Sequence, residues 1–500
     1  MDIVIFTCLS GIFFQRSIGA YQIAHFLREH GYSVQVIDFT DHFSDQELEE
    51  ATTKFVTKDT LAVGISSTFY TTDIKPKFIH NDTDKYDLEF PSNIMNAVKV
   101  VKEQFPDVKV IVGGSKSETA KNIPYVDAVI HGYAEDKLLD YLNSLPNNPK
   151  RIKNKVFSIS SNLEHPRIIK DDPIVTDFSI EKLGHRFTKQ DIILPNETLP
   201  IEVSRGCIFK CSFCAFPLNG KSKLDYLRDP NAIKDEMLHN YEMYGTTNYF
   251  LSDDTFNDST EKVQQLHKVI TSLPFKINFT TYLRLDLLYA HKEQILMLKE
   301  MGLASPFFGI ESLNQKSAST IGKGMNVDRA KDFLLELYHN HWSEDIPITC
   351  SFIIGLPYET RQTIQDTYEW AKTAPINSIF FPLALTSKTF YKSEFNTNYE
   401  HYGYKLDLAT DHWENENFNY TDAIKLSEKF NEELMRGEDT PSSWFLMTLL
   451  NHGYSLEEAK IVKVKNLNYS KILRNKERNI KMYKRLLTSI NIASLGQDHD

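Results

Sequence analysis

Cysteine is scarce in this sequence: five in 500 residues, at positions 8, 207, 211, 214 and 350. So few thiols, three of them in one short stretch, make no disulfide framework, and they point to a reducing, cytoplasmic compartment. Long hydrophobic runs are missing as well. No apolar stretch approaches the ~20 residues that cross a bilayer, so no helical membrane span is expected. The N-terminus, Met1-Asp2-Ile3-Val4-Ile5-Phe6, has no basic n-region and reads as a first strand rather than a signal peptide. Positive charge is in deficit: 56 Lys and Arg stand against 67 Asp and Glu, a net charge of -11. That argues against a nucleic-acid-wrapping surface and against an anionic membrane as partner. There is no internal repeat and no low-complexity tract. The turn after the first strand, Cys8-Leu9-Ser10-Gly11-Ile12-Phe13-Phe14, lacks the G-x-G-x-x-G phosphate turn, so a nicotinamide dinucleotide is not expected.

What is present is globular: 41% hydrophobic, 12% aromatic and 25% charged residues, in a chain long enough for roughly three domains. Residues 1–145 alternate short apolar runs with amphipathic patterns. Strands are expected at Ile3–Thr7, Ser33–Asp38, Leu61–Ser66, Lys109–Val112 and Ala128–His131. Helices are expected at Ser17–His30, Ile94–Phe105 and Glu135–Leu145. Such alternation implies a doubly wound, Rossmann-like parallel sheet, whose ligands sit at the carboxyl ends of the strands. Those ends carry Ser10-Gly11, Asp38, Ser66-Ser67-Thr68, Gly113-Gly114-Ser115 and Gly132. Small residues there either let a large ligand approach the backbone or simply make tight turns. Residues 146–198 are polar and proline-punctuated and read as a linker. From 199 to 395 a stronger alternation follows: six strands separated by helices, fitting a full or partial (β/α)6 barrel with polar residues at the strand ends. From 396 to 500 the pattern is mainly helical. The basic helical stretch Lys460–Lys484 reads as a solvated face, and the aromatic-rich C-terminal region is expected to cover the barrel mouth.

The centre of the sequence is Cys207-x3-Cys211-x2-Cys214, directly after the strand Leu199–Ser204. Thiolates suit iron–sulfur clusters and zinc. A [4Fe–4S] cluster takes one cysteine per iron, so three leave one iron open. A structural zinc site takes four ligands; no histidine lies in the loop, and a zinc site completed by a distant residue stays open as an alternative. Cys350, on an expected strand, reads as a buried small apolar residue.

The three-cysteine loop, with Phe213 just before its last cysteine, resembles the radical S-adenosylmethionine (SAM) signature. Tyr249-Phe250-Leu251-Ser252-Asp253-Asp254-Thr255-Phe256, Gly309-Ile310-Glu311-Ser312, Ile321-Gly322-Lys323-Gly324 and Phe352-Ile353-Ile354-Gly355-Leu356-Pro357-Tyr358-Glu359-Thr360 resemble the family's later motifs in order. Residues 1–145 are similar, at the level of fold, to the cobalamin-binding domain that precedes the barrel in one large subgroup. The resemblance implies a [4Fe–4S] cluster on Cys207, Cys211 and Cys214. Its open iron would chelate SAM, and reductive cleavage of SAM would start radical chemistry on a small-molecule or biosynthetic-intermediate substrate. It implies SAM contacts from Phe213, Asp253 and Asp254 (the methionyl ammonium), Arg284 (the carboxylate), Glu311 (the ribose), and Ile353 and Gly355 (the adenine). It implies cobalamin at Ser66, Ser67, Gly113, Gly114 and Gly132, and an electron donor such as flavodoxin or ferredoxin.

Ordinary structural readings stand beside these: an Asx turn for one of the two Asp residues, a salt bridge for Arg284 and a helix cap for Glu311. The base-off cobalamin pattern D-x-H-x-x-G is absent, since Asp38 and His42 lie four apart with no matching glycine. With only Cys8 in the first domain, sulfur insertion through a second cluster is not expected. The reaction implied is methyl transfer to an unactivated carbon or phosphorus. A radical cyclisation or rearrangement, with or without cobalamin, and a non-catalytic metal-stabilised binding module are the alternatives; the intact motifs count against the last.

Overall fold

The structure is a computed structural model and describes residues 1–9, 15–69, 90–114, 117, 120, 123–150, 167–170, 184–216, 218–385, 392–408, 410–437, 441–462 and 469–492. Ser10, Gly11 and Ser115, named above among the strand ends, lie outside them. The chain forms two compact units, one built mainly from Met1–Pro195 and Leu473–Asp500, the other from Asn196–Ser387 and Tyr391–Ile472.

The first unit holds six parallel strands: β1 (Ile3–Phe6), β2 (Val34–Ile37), β3 (Ala62–Ser66), β4 (Lys109–Gly113), β5 (Ala128–His131) and β6 (Arg167–Lys170). Their order is β2-β1-β3-β4-β5-β6. All four residues of β1, of β2 and of β5 are buried, as expected for a parallel sheet covered on both faces. Three features depart from the sequence reading. The helix Asp45–Phe55 was not expected, although Ser44 and Glu47 form a full capping box and Leu48, Ala51, Thr52 and Phe55 make its buried face. The presumed linker contributes β6, which pairs parallel to β5 from Ala128↔Arg167 to His131↔Lys170. Four residues, charged at both ends, give too short a period to recognise, and they suit an edge strand. The end of the chain also returns: Tyr483 and Leu487 of the helix Tyr469–Ser489 are buried in the core with Phe39, Leu48 and Phe55. The Tyr483 hydroxyl accepts from the Asp38 amide at 2.9 Å.

The second unit holds β7 (Leu199–Glu202), β8 (Asn248–Ser252), β9 (Asn278–Leu283), β10 (Leu303–Glu311), β11 (Thr349–Ile354) and β12 (Asn377–Pro382). Each pairs parallel with the next. Among the described residues β7 and β12 do not pair, so the barrel is partial. Alternation follows the pleat. In β8, Tyr249 and Leu251 are buried while Phe250 and Ser252 keep some exposure. The Tyr249 hydroxyl donates to the Thr246 carbonyl at 3.1 Å, on the side of the helix Pro230–Tyr244. The opposite face carries an aromatic series: Phe250 against Tyr282, Tyr282 against Phe307, and Phe307 stacked on Trp444 at 5.1 Å.

Trp444 belongs to the helix Ser443–Asn451, apolar on all sides and buried almost throughout. Its Ser443 amide donates to the Thr349 hydroxyl at 2.8 Å, and Asn451 accepts from the Thr198 amide at 2.6 Å. Thr198 precedes β7 and Thr349 opens β11, so this helix closes the amino end of the barrel. The expectation that the aromatic C-terminal region covers the mouth is therefore corrected for this helix. Its continuous apolar surface demanded burial, but the sequence did not say at which end. A different segment reaches the carboxyl end: Trp413, from the hairpin Lys405–Asp407/His412–Glu414, lies over Gly355.

Leu487 is fully buried in the first unit's core. Leu487→Ala is expected to lower that unit's stability by about 2–5 kcal/mol, the usual cost of a buried leucine, measured by urea denaturation of the full chain.

Candidate functional site

Cys207, Cys211 and Cys214 lie on the loop that leaves the carboxyl end of β7. The loop folds back on itself: the Arg205 amide donates to the Tyr226 carbonyl at 3.2 Å, and the Arg228 amide to the Val203 carbonyl at 3.0 Å. The Cys207 carbonyl accepts from the Gly220 amide at 2.7 Å and from the Lys221 amide at 3.2 Å. Gly206 has a φ of 79°, and a Cβ there would sit 2.6 Å from the Leu218 carbonyl oxygen, so only glycine fits before the first cysteine.

All three thiols are half-buried, and each faces a polar neighbour. Cys207 Sγ is 3.2 Å from the Thr255 hydroxyl and accepts from the Phe209 amide at 3.4 Å. Cys211 Sγ accepts from Arg284 Nη1 at 3.4 Å, and Cys214 Sγ from Asn219 Nδ2 at 3.2 Å. Burial pushes the Cys207 thiol up and the Cys214 thiol up to about 11. Among the described residues no group of three or more His, Cys, Asp or Glu is arranged around a single metal ion. A cluster that binds each thiolate to a different iron spreads its ligands more widely than one ion does.

The two aspartates after β8 part company. The Asp253 carboxylate is spent inside the protein: it accepts from the Ser204 hydroxyl at 2.8 Å and the Thr255 amide at 2.9 Å, and it pairs with Lys262 at 2.7 Å. Lys262 has no exposed surface; it also pairs with Asp258 and donates to the Thr255 carbonyl at 3.1 Å. Asp254 turns the other way. One oxygen accepts from the Gly206 amide at 3.0 Å, and burial, with Asp253 beside it, pushes its carboxyl up to about 7.

Arg284, after β9, stacks its guanidinium 3.6 Å over the Phe209 ring. Its Nε and Nη2 form a fork onto Asp286 at 2.9 and 2.6 Å, and Nη1 faces Cys211. Glu311 ends β10 at a φ of 69°, a region that non-glycine residues seldom occupy and that clusters at functional sites. It pairs with Lys323 at 3.5 Å and accepts from the Ser351 hydroxyl at 3.3 Å. A Cβ at Gly309 would meet the Glu311 carboxylate at 2.3 Å. Ile353 lies on the Ser351 face of β11 and keeps part of its surface open, as does Phe213. Gly355 is different: with a φ of 100°, its missing Cβ leaves room for the Trp413 ring, 2.2 Å from where that atom would be. The close approach there is to the protein itself.

The loop is thus joined by Asp254, Arg284, Glu311 and Ile353 at the carboxyl end of one sheet, while Asp253 and Gly355 are committed to the fold. Sequence reading missed Phe209, Asn219, Thr255, Asp286 and Lys323. Asp286 lies two residues after Arg284, Thr255 and Lys323 lie inside the strand-end motifs, and Phe209 lies inside the cysteine loop; Asn219 had no local signal.

In the first unit, Ser66 and Gly113 are register partners at the ends of β3 and β4, and Gly132 follows β5 with a φ of 84°. The Ser67 hydroxyl donates to the Gly113 carbonyl at 2.9 Å. A Cβ at Gly114 would lie 2.7 Å from the Thr68 hydroxyl, so Ser67 and Gly114 serve local packing, while Ser66, Gly113 and Gly132 line the edge. Asp38 accepts from the Tyr21 hydroxyl at 2.8 Å and the Phe39 amide at 2.7 Å.

Residues 201–371 match the profile of the Radical SAM superfamily. The chain carries a radical SAM domain. It is 25% identical over 299 residues to the anaerobic magnesium-protoporphyrin IX monomethyl ester cyclase of Cereibacter sphaeroides, covering 55% of this chain and 46% of the relative. The chain spans about half the length of the first curated relatives it matches. Two solved structures share the fold over nearly the whole chain. The radical SAM methyltransferase TsrM of Kitasatospora setae, solved with tryptophan substrate and a SAM analogue, has a TM-score of 0.63 at 14% identity, covering 95% of this chain and all of that one. The cobalamin-dependent SAM radical enzyme OxsB, solved with aqua-cobalamin and SAM, has a TM-score of 0.60 at 13% identity, covering 97% of this chain and 72% of that one. No helix among the described residues is long and apolar enough to cross a membrane.

Behind the radical SAM domain's cysteine loop, Lys262 neutralises two buried carboxylates. Lys262→Met would leave Asp253 and Asp258 without that partner, and it is expected to destabilise the chain by about 3–5 kcal/mol, as breaking a buried pair does. Denaturant unfolding under anaerobic conditions measures it.

Proposed function

We propose that the chain is a cobalamin-dependent radical SAM methyltransferase acting on an unactivated carbon or phosphorus centre of a small molecule. One observation carries this reading: three half-buried thiols on a single loop, each facing a polar neighbour, stand at the sheet end that also presents Asp254, Arg284 and Glu311. The donor set fits a [4Fe–4S] cluster, since three thiols on a short loop leave one iron for another ligand. The small-residue edge of Ser66, Gly113 and Gly132 fits a large flat ligand such as cobalamin at the carboxyl ends of a doubly wound sheet.

When bound, the cluster supplies the electron that breaks a carbon–sulfur bond of SAM, and cobalamin supplies a methyl carrier. The chain's own residues do the rest. Cys207, Cys211 and Cys214 hold the irons. The Asp254 carboxyl, anchored on one side by the Gly206 amide, keeps its other oxygen for the methionyl ammonium. Arg284, fixed in orientation by Asp286 and Phe209, keeps one N–H edge toward Cys211 and steadies negative charge there. Glu311, set by its backbone and Lys323, offers carboxylate oxygens to the ribose hydroxyls. Ile353 would give adenine an apolar wall, and Phe213 would lie against SAM. Asp253 and Gly355 act indirectly, through Lys262 and Trp413. A flavodoxin or ferredoxin in the same reducing compartment would deliver the electron.

A second reading, radical cyclisation, is favoured by one observation: the similarity to the anaerobic cyclase of Cereibacter sphaeroides. Both readings use the same SAM site and differ in substrate and in the fate of the methyl group.

Anaerobic purification with added cobalamin is expected to give a brown, oxygen-labile protein with about four irons per chain, corrinoid absorbance and cleavage of SAM. Cys211→Ala should lose iron and cleavage yet unfold at nearly the same denaturant concentration. A colourless zinc protein, or unchanged cleavage in Cys211→Ala, would sink the cluster assignment.

A further inference from the structure

Glu359 follows β11 and is 1% exposed. One carboxyl oxygen shares a short hydrogen bond with the Ser312 hydroxyl. The other, Oε2, is buried with no hydrogen-bond partner among the described residues. Nothing in the reaction described above uses this group.

Its partner sits at a junction. Ser312 follows the strained Glu311, and its hydroxyl also accepts from the Asn314 amide at 3.0 Å. Asn314 caps the helix Gln315–Thr320, accepting from the Lys316 and Ser317 amides at 3.0 and 3.1 Å. Two further bonds tie this turn to the Glu359 loop: Asn314 Nδ2 to the Tyr358 carbonyl at 3.3 Å, and the Ser317 hydroxyl to the Pro357 carbonyl at 2.6 Å. The far end of the helix meets the cysteine loop. The Ser212 amide donates to the Ile321 carbonyl and its hydroxyl to the Thr320 carbonyl, both at 3.3 Å. A Cβ on Gly322 would lie 3.7 Å from the Cys211 Cα.

We propose that Glu359, as a neutral carboxyl group, is a positioning residue: through Ser312 it fixes the turn that carries Glu311, and through the helix Gln315–Thr320 it steadies the cysteine loop between Cys211 and Cys214. A charged carboxylate with one bare buried oxygen would be costly here. A neutral acid keeps the Ser312 bond at much smaller cost. In agreement, burial pushes the Glu359 carboxyl up to about 8. Because Ser312 already accepts from Asn314, its one hydrogen is free for the Glu359 oxygen. An amide has nearly the same shape, is neutral and keeps a carbonyl oxygen to accept from Ser312, so glutamine should replace this glutamate.

The test uses the full-length, anaerobically purified protein. Backbone hydrogen exchange over residues 311–322 is read by mass spectrometry, and KM and kcat for SAM cleavage are measured alongside. Glu359→Ala is expected to speed exchange across this segment roughly tenfold, the scale of one lost buried hydrogen bond, and to raise KM for SAM more than it lowers kcat. Ser312→Ala should do the same and stands in should Glu359→Ala fail to fold. Glu359→Gln should leave exchange and KM within about twofold of the parent. Unchanged exchange in both alanine variants would overturn the proposal. So would a Glu359→Gln variant as impaired as Glu359→Ala, because the charge would then be what matters. The activity readout rests on the SAM site proposed above, whereas the exchange readout does not. A protein that shows the exchange pattern but cleaves no SAM would keep the positioning role and lose the functional reading.

Discussion

A lysine with no exposed surface holds the candidate site together. Lys262 lies on the helix that follows β8, where its ammonium meets Asp253, Asp258, the Thr255 carbonyl and the Ser204 hydroxyl. Ser204 is the last residue but two before Cys207, and Thr255 contacts the Cys207 sulfur. One buried cation therefore ties the end of β7, the end of β8 and the first cysteine into a single body. Removing charges from water is expensive unless they are paired, so this cluster tolerates little rearrangement. That rigidity is what a loop must have if it is to present three thiols in a fixed spread.

The second unit divides its labour between the two ends of the sheet. At the amino end, Ser443–Asn451 closes the barrel and sends Trp444 inward to stack on Phe307. At the carboxyl end, short polar side chains and positive-φ backbone replace the apolar filling. Glu311 there has a φ of 69°, and its carboxylate is held by Lys323 and Ser351. Apolar packing fills the amino end, and strained backbone marks the carboxyl end, where chemistry is proposed.

Much of this was legible because its signals are local. The three cysteines, the glycine before them and the strand that feeds them sit within a few residues of each other. The doubly wound sheet was readable from apolar runs such as Ile3–Phe6 and Ala128–His131. The helix Asp45–Phe55 carries an equally local signal in its capping box, Ser44 with Glu47. The pair Asp253-Asp254 shows where reading stopped. Successive residues of an extended segment point to opposite sides, so one had to face inward and one outward, but which did so depended on Lys262, several residues along and a helix away. At Gly355 the backbone needs a missing Cβ, and only the fold shows that Trp413 takes that space.

The sequence by itself determined the element alternation, the cysteine spacing and the order of the strand-end motifs, because period, spacing and turn chemistry act over a few residues. Only the tertiary structure decided which carboxylate is free and which is neutralised, which end of the barrel the apolar C-terminal helix closes, and that Glu359 is buried against the Glu311 turn. Those outcomes depend on desolvation and on partners from several to hundreds of residues distant, and a charge has no fixed role until the fold sets what lies within a few ångströms of it.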